Sequence, residues 1–509
     1  MAYIDTYVRN PLVEENVFRS LPREEAPLPD FAGARRLLPE PFWEGHDSAI
    51  ACYWKAWELA FANLRQPTPQ NGFVANYINP AFNDYLFMWD SVFMLHFGRY
   101  GQHVFDSQRT LDNLYAKQHP DGFICREIRE ADGSDAFGRF DPASTGPNVL
   151  AWSEWAHYRA FRDRERLARA FPVLVAYHRW LREYRTWRDG SYWSTGWACG
   201  MDNQPRVPAG YSVSLSPAHQ VWVDACLQQL FSARLLSRMA GALGRRSEVA
   251  DMEAEAEFLV RYVNEQLWDE DAAFYFDLLR DGSLSTVKSI GAYWALLADA
   301  VPADRLERFV AHLRNPAEFA RPDQVPSLAA DDPHYRPDGG YWLGGVWAPT
   351  NYMVEAGLCH TGRRDLAHEI ALTHLDHVVH VYKQTGTIWE NYAPESASPG
   401  HPAKRDFVGW SGLPPIAGLL EHIFGLESDS ERARLTWNVQ LLEGHGVSRY
   451  PFGKEGLVDL ACARRSSPRE KPQIRAGANI PLALEIRWEG GVESLDLQGQ
   501  PQYALEGVE

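Results

Sequence analysis

From about residue 45 to 424, apolar residues recur with the period of an α-helix, and the segments are joined by links of two very different lengths. About twelve helical segments are predicted, near 45–64, 86–100, 102–116, 147–162, 165–184, 216–242, 246–268, 286–299, 302–313, 346–360, 363–383 and 408–423. Some links, such as Gly98 to Gln102 and Thr361 to Arg363, are a few residues long. Others, at 65–85, 117–146, 185–215, 314–345 and 384–407, are long and rich in Gly, Pro and Trp. Loops beyond about 12–15 residues are uncommon unless functional or disordered. Helices in six hairpins with long loops at one end fit a mainly α fold, an (α/α)6 barrel or toroid whose loops converge on one mouth. An open helical array has the same period, although no repeat of about 34 or 40 residues is visible.

The flanks differ in character. Residues 1–44 are Pro-rich and irregular, and are expected to pack on the barrel. The barrel itself is placed at 45–424. After Gly425 the chain alternates apolar and polar residues between turn signals, as in QIRAGANIPLALEIRWEGGVESLDLQG and QYALEGVE, which is strand chemistry. A small β-sandwich-like domain is therefore expected at 430–509. The N-terminus has no apolar run resembling a signal peptide, and no stretch of about 18 apolar residues suggests a membrane span. Six scattered cysteines without CxxC spacing read as reduced thiols, so a cytoplasmic location is expected.

Composition narrows the function classes. A formal net charge of −17 argues against nucleic acid or an anionic membrane surface as partner. The chain carries 19 Trp, and only Trp437 and Trp488 lie beyond residue 430. The aromatic excess thus belongs to the helical part, and several of its rings stand in the long loops.

Those loops hold the segments that carry chemistry. Trp197-Ala-Cys-Gly200-Met-Asp202-Asn203-Gln-Pro-Arg206 places a carboxyl among aromatic and small residues. Such a carboxyl loses water and gains pKa, which suits a general acid, although from these residues alone an Asx-turn that shapes the loop is the more ordinary reading. Trp389-Glu390-Asn391-Tyr392 repeats the pattern with a Glu that suits a general base or a salt bridge, with Glu395 as competitor. Trp89-Asp90 offers a ring and a hydrogen-bond acceptor, as a sugar requires, or a favourable helix-dipole contact. Gly339-Gly340-Tyr341-Trp342-Leu-Gly344-Gly345-Val-Trp347 projects rings from tight turns. Gln118-His-Pro-Asp-Gly122 is a turn leading to Arg126 and Glu127, and Phe407-Val-Gly-Trp410 leads into the last helix. His374, His377 and His380 stand at i, i+3, i+6 and read as a polar outer face, since helical metal pairs usually stand at i, i+4. No metal or cofactor is expected, and no phosphate-binding loop, dinucleotide fingerprint or nucleophile elbow is present.

In this order, FMWDSVFM, QHPDGFICREI, WACGMDNQPR, GGYWLGGVWAPTNY, WENYAPE and DFVGWSG resemble the family 63 glycoside hydrolases, within the inverting (α/α)6 α-glycosidases, and most closely the bacterial mannosylglycerate and glucosylglycerate hydrolases. The resemblance implies that Asp202 is the general acid and Glu390 the general base. It implies a sugar site with substrate contacts at Trp89, Asp90, Gln118, Trp197, Gly200, Asn203, Tyr341, Trp342, Trp347, Trp389 and Trp410. In the loop after Asp202, Arg206 and Tyr211 are the candidates for gripping an acidic leaving group, with Arg126 as a further cation. The expected partner is a small carbohydrate, a glycosylglycerate or a disaccharide-like α-glucoside or α-mannoside; a homo-oligomer is compatible with the chain. A sugar epimerase or lyase on the same fold, and a non-catalytic sugar-binding protein, are the competing classes.

Overall fold

A computed structural model describes residues 9–499. Residues 1–8, part of the irregular N-terminal segment, and the QYALEGVE strand segment lie outside the described residues. Helices run over α1 Asp47–Ala62, α2 Met88–Gly98, α3 Thr110–Ala116, α4 Leu150–Phe161, α5 Arg164–Tyr184, α6 Val223–Leu243, α7 Ala250–Gln266, α8 Trp294–Leu297, α9 Ala303–Ala311, α10 Ala348–His360, α11 Arg364–Thr385 and α12 Leu413–Ile423. No helix among the described residues is long and apolar enough to cross a membrane.

Local chemistry sets the boundaries. Between α4 and α5, Arg162 turns left-handed at φ 57°, and Asp163 caps α5 by accepting from Arg166 N at 2.9 Å. Gly244 and Gly386, at φ 77° and 72°, close α6 and α11 in the same way. The periodicity places the start of α6 too early, at 216. Pro217 and two successive left-handed residues, Ala218 and His219, hold that stretch as a turn, and helix begins only at Val223. The segment predicted over 102–116 is α-helical only from Thr110, and that predicted over 286–299 shrinks to Ile290–Leu297, a 3-10 turn running into α8. The last helix, α12, has the wide π winding and starts on Pro414-Pro415, which need no amide partners there.

Alternate helices touch in a circuit: α2 packs on α4, α4 on α6, α6 on α8, α8 on α10, α10 on α12, and α12 on α2. Their inward faces meet in an aromatic cluster. Trp152 of α4 lies 5.8 Å from Phe93 of α2, 5.9 Å from Phe231 of α6, 5.6 Å from Trp294 of α8 and 5.7 Å from Tyr352 of α10. Dense ring packing of this kind fixes neighbouring helices more tightly than burial alone. The cluster continues through Phe93 to Trp89, at 4.7 Å, at the start of α2.

Eight strands form two four-stranded sheets: β1 Glu40–Trp43, β2 Leu426–Asp429, β3 Arg434–Asn438, β4 His445–Phe452, β5 Gly456–Cys462, β6 Ile474–Ala478, β7 Pro481–Trp488 and β8 Gly491–Gln498. Their orders are β1-β4-β5-β6 and β8-β7-β3-β2, with β7 and β3 parallel. The segment expected to be irregular thus contributes a strand: Glu40 pairs with Ser448 and Trp43 with His445. The sheets fasten to the C-terminal end of α4, where Gly453 N donates to Ala160 O and Ser430 Oγ to Arg159 O, both at 2.8 Å.

Candidate active site

At the opposite ends of these helices the five long loops meet around a cavity of about 270 Å³. A short antiparallel pair, Tyr85–Phe87 with Glu127–Arg129, brings the loop at 117–146 beside the start of α2, and Met88 N donates to Arg126 O at 2.8 Å. That contact sets Asp90 in the first turn of α2, facing Arg126 and Glu127 across the cavity. Asp90 is 6% exposed; burial holds its carboxyl well above the usual range, and Glu127 and Glu390 add to the effect.

Asp202 follows a four-residue helix, Gly196–Cys199, capped by Thr195 accepting from Ala198 N at 3.1 Å. Gly200 then turns left-handed at φ 79°, which a side chain would resist, and a Cβ there would stand 3.2 Å from the Trp89 ring. Burial pushes Asp202 up to about 6, Arg126 pulls it down and Glu127 raises it further.

The loop holding Asp202 is tied to the glycine-rich loop by Asn203. Its side chain donates to Gly340 O and accepts from Trp342 N, both at 2.9 Å. Trp342 faces the cavity with Trp347 stacked behind it at 3.9 Å and 2°. Trp347 Nε1 donates to Tyr341 O at 3.1 Å, holding Tyr341 at φ 68°. So held, the Tyr341 hydroxyl donates to Glu390 Oε1 at 3.1 Å.

Glu390 is 3% exposed and fixed at three points. Lys404 N donates to its Oε2 at 2.9 Å, Tyr341 to its Oε1, and Trp410 Nε1 to its backbone oxygen at 2.8 Å. Burial pushes its carboxyl up to about 7, opposed by the Lys404 amide and the Tyr341 hydroxyl, with Asp202 raising it.

The cavity therefore collects Trp89, Asp90, Trp197, Gly200, Asp202, Tyr341, Trp342 and Trp410 from the predicted set, with Glu390 adjoining through Tyr341. The other predicted contacts lie elsewhere. Gln118 is buried and donates to Gly122 O and Val173 O, both at 3.0 Å, where it pins the Pro-Asp-Gly turn. Arg206 is 3% exposed, clamped by Asp224 at 2.6 Å and Asp277 at 2.7 Å, with its guanidinium over Trp222. Tyr211 sits edge-on to His219. Trp347 is fully buried behind Trp342, and Trp389 donates to Thr385 Oγ1 at 3.1 Å. Asn203 and Trp347 shape the site from behind the lining. His374 and His377 do not form an outer face: both are buried against Asp323, each at 3.5 Å, and only His380 is exposed.

Sequence reasoning passed over Glu127, Phe137, Phe82, Asn83, Phe87, Gly146 and Pro147, all of which line the cavity. Glu127 had a signal, since it adjoins Arg126 in the same motif. The others are ordinary residues whose roles arise only from the meeting of distant loops. No histidine lines the cavity among the described residues.

Comparison with known proteins agrees with this fold. The mannosylglycerate hydrolase of Thermus thermophilus is 28% identical over 356 residues, covering 56% of this chain and 83% of that protein. A crystal structure of a GH63 mannosylglycerate hydrolase from Thermus thermophilus in complex with glucose superposes with a TM-score of 0.57 at 24% identity, covering 72% of this chain and 99% of the other. Neutral trehalase from Saccharomyces cerevisiae gives 0.56 at 13% identity, over 70% and 76% of the chains. The model of the mannosylglycerate hydrolase MGH1-like glycoside hydrolase domain matches residues 83–411, a span that holds every cavity-lining residue except Phe82. The chain belongs to that family and is a glycoside hydrolase.

Proposed function

We propose that the protein is an inverting α-glycosidase acting in the cytoplasm on a small α-glucoside or α-mannoside, with Asp202 as general acid and Glu390 as general base. In this reading the helices of residues 45–424 close as an (α/α)6 barrel, and residues from 430 onward form a small β unit at its far end. The observation that carries it is the pairing of two carboxyls, half-buried Asp202 lining an aromatic-walled cavity and buried Glu390 adjoining it, both held above the ordinary range.

Trp89 and Trp197 offer flat apolar faces to a sugar ring, with buried Trp342 in the wall behind, and Asp90 accepts from its hydroxyls. Asp202 gives its proton to the glycosidic oxygen as the bond breaks, and charge builds on the ring carbon and ring oxygen. Glu390 takes a proton from a water attacking the opposite face, so the product leaves with inverted configuration. Room for that water calls for carboxyls roughly 6.5–9.5 Å apart.

Asp202 must be protonated while Glu390 is ionised. With the two held near 6 and near 7, about a quarter of Glu390 is ionised at pH 6.5. The optimum is then expected near pH 6.5.

The test is proton NMR of the first-formed anomer from α-glucosides and α-mannosides, with Asp202→Asn and Glu390→Gln beside the wild type. Inversion, and loss of nearly all turnover in both folded variants, are expected. Retention of configuration, or near-normal turnover in either variant, would overturn the assignment.

A further inference from the structure

The cavity is far richer in acidic than in basic residues. Asp90, Glu127 and Asp202 line it, and Glu390 adjoins it. Among the described residues Arg126 is the one cation in the lining, and it is already engaged. Its Nη1 lies 2.5 Å from Glu127 Oε1, its Nε donates to Ala143 O at 2.7 Å, and its guanidinium covers the Phe137 ring at 4.7 Å. Both members of the pair are mostly buried, with side chains 15% and 13% exposed. Arg206, the other cation that the loop sequence offers, is neutralised by Asp224 and Asp277 away from the cavity. Lys404, exposed at the rim, gives its ammonium to the carbonyl of Phe82.

A carboxylate entering beside Asp202 would therefore meet an arginine whose charge is cancelled and a glutamate that repels it. A neutral polyol or sugar would meet donors on Arg126, acceptors on Glu127 and flat faces on Phe137 and Trp197. We propose that the leaving group is neutral, a polyol or a second sugar, and that the Arg126–Glu127 pair excludes an acidic one. Relatives named for mannosylglycerate release an acid, so the pair would mark a different substrate class within the same family. This inference rests on the α-glycosidase reading above and adds the charge of the group that departs.

The test compares α-glucosyl- and α-mannosylglycerol with the corresponding glycerates, which differ only in a hydroxymethyl or a carboxylate. The wild type should show a kcat/KM at least tenfold higher for the glycerol conjugate. Glu127→Gln, which uncovers the charge of Arg126, should lower that ratio at least tenfold; Arg126→Gln, which leaves Glu127 unbalanced, should raise it. Both substrates use the same sugar and the same acid and base. Any change in Asp202 ionisation on losing Glu127 therefore cancels in the ratio. A wild-type preference for the glycerates, or a ratio unmoved in both variants, would overturn the proposal. If neither these conjugates nor α-linked gluco- and manno-disaccharides turn over, the α-glycosidase reading fails. The charge preference is then read from tryptophan fluorescence titrations of the wild type, where tighter binding of the glycerates overturns it and tighter binding of the glycerols sustains it.

Discussion

Removing one hydroxyl should reshape the pH profile in a direction that intuition does not supply. In Tyr341→Phe, Glu390 loses the hydrogen bond to Oε1 but keeps the Lys404 amide on Oε2 and its burial. A hydrogen bond to a charged group contributes about 1.5–3 kcal/mol, and one pKa unit is about 1.4 kcal/mol. A rise of about one unit, from about 7 to about 8, is therefore a conservative expectation. The ionised fraction of Glu390 at pH 6.5 then falls from about 24% to about 3%, an eightfold loss of kcat/KM, whereas at pH 8 the loss is about twofold. Because the base titrates above the acid, the acidic limb stays near pH 6. The optimum instead moves from about 6.5 to about 7, and the alkaline limb moves out to about 8. The assay is kcat/KM from pH 5 to 9 on a neutral α-glycoside, wild type against variant. A deficit of the same size at every pH, or an optimum that stays put or falls, refutes the reasoning, because it would mean that Tyr341 acts on the sugar and not on Glu390.

Arg206→Met should cost about 3–5 kcal/mol of stability, because Asp224 and Asp277 would be left buried without a counter-charge. Denaturant melts check this, and an unchanged midpoint would count against a structural role. Gly200→Ala should both raise KM in initial-rate assays and lower the melting temperature. The left-handed backbone adds about 1–2 kcal/mol of strain, and the new methyl presses on the Trp89 ring. Trp347→Ala should destabilise by about 3–5 kcal/mol and also lower kcat, since the plate behind Trp342 and the anchor of Tyr341 are lost together.

Much of this architecture was legible in the sequence because helices obey a local rule. The period of the apolar residues located all the principal helices, and failed mainly where single residues overrode it, as at Ala218 and His219 ahead of α6. The strand β1 was not legible: Glu40-Pro-Phe-Trp is four residues long, contains a proline, and has a partner more than 400 positions away. The site divides the same way. Asp202 and Glu390 stood out because each is flanked by aromatic and small residues in a long loop. Arg206 in its motif looked like a free cation, and nothing nearby in the chain betrays Asp224 and Asp277, which reach it from separate elements. Glu127 was hidden in the opposite sense. In the sequence it is only the neighbour of Arg126, and the fold alone carries that pair into the cavity.

The pairing of β1 with β4 also sets a timetable for biogenesis. Residues 40–43 leave the ribosome long before His445 exists, and at about 5–20 residues per second the wait is about 20–80 s. Through that interval β1 has no edge to join, and Trp43 lacks Phe424, against which it finally packs at 6.2 Å. The nascent chain must keep an apolar, strand-forming segment from pairing with anything else until synthesis is nearly finished. Translation speed and chaperone supply would then bear on how much of the chain reaches the paired state.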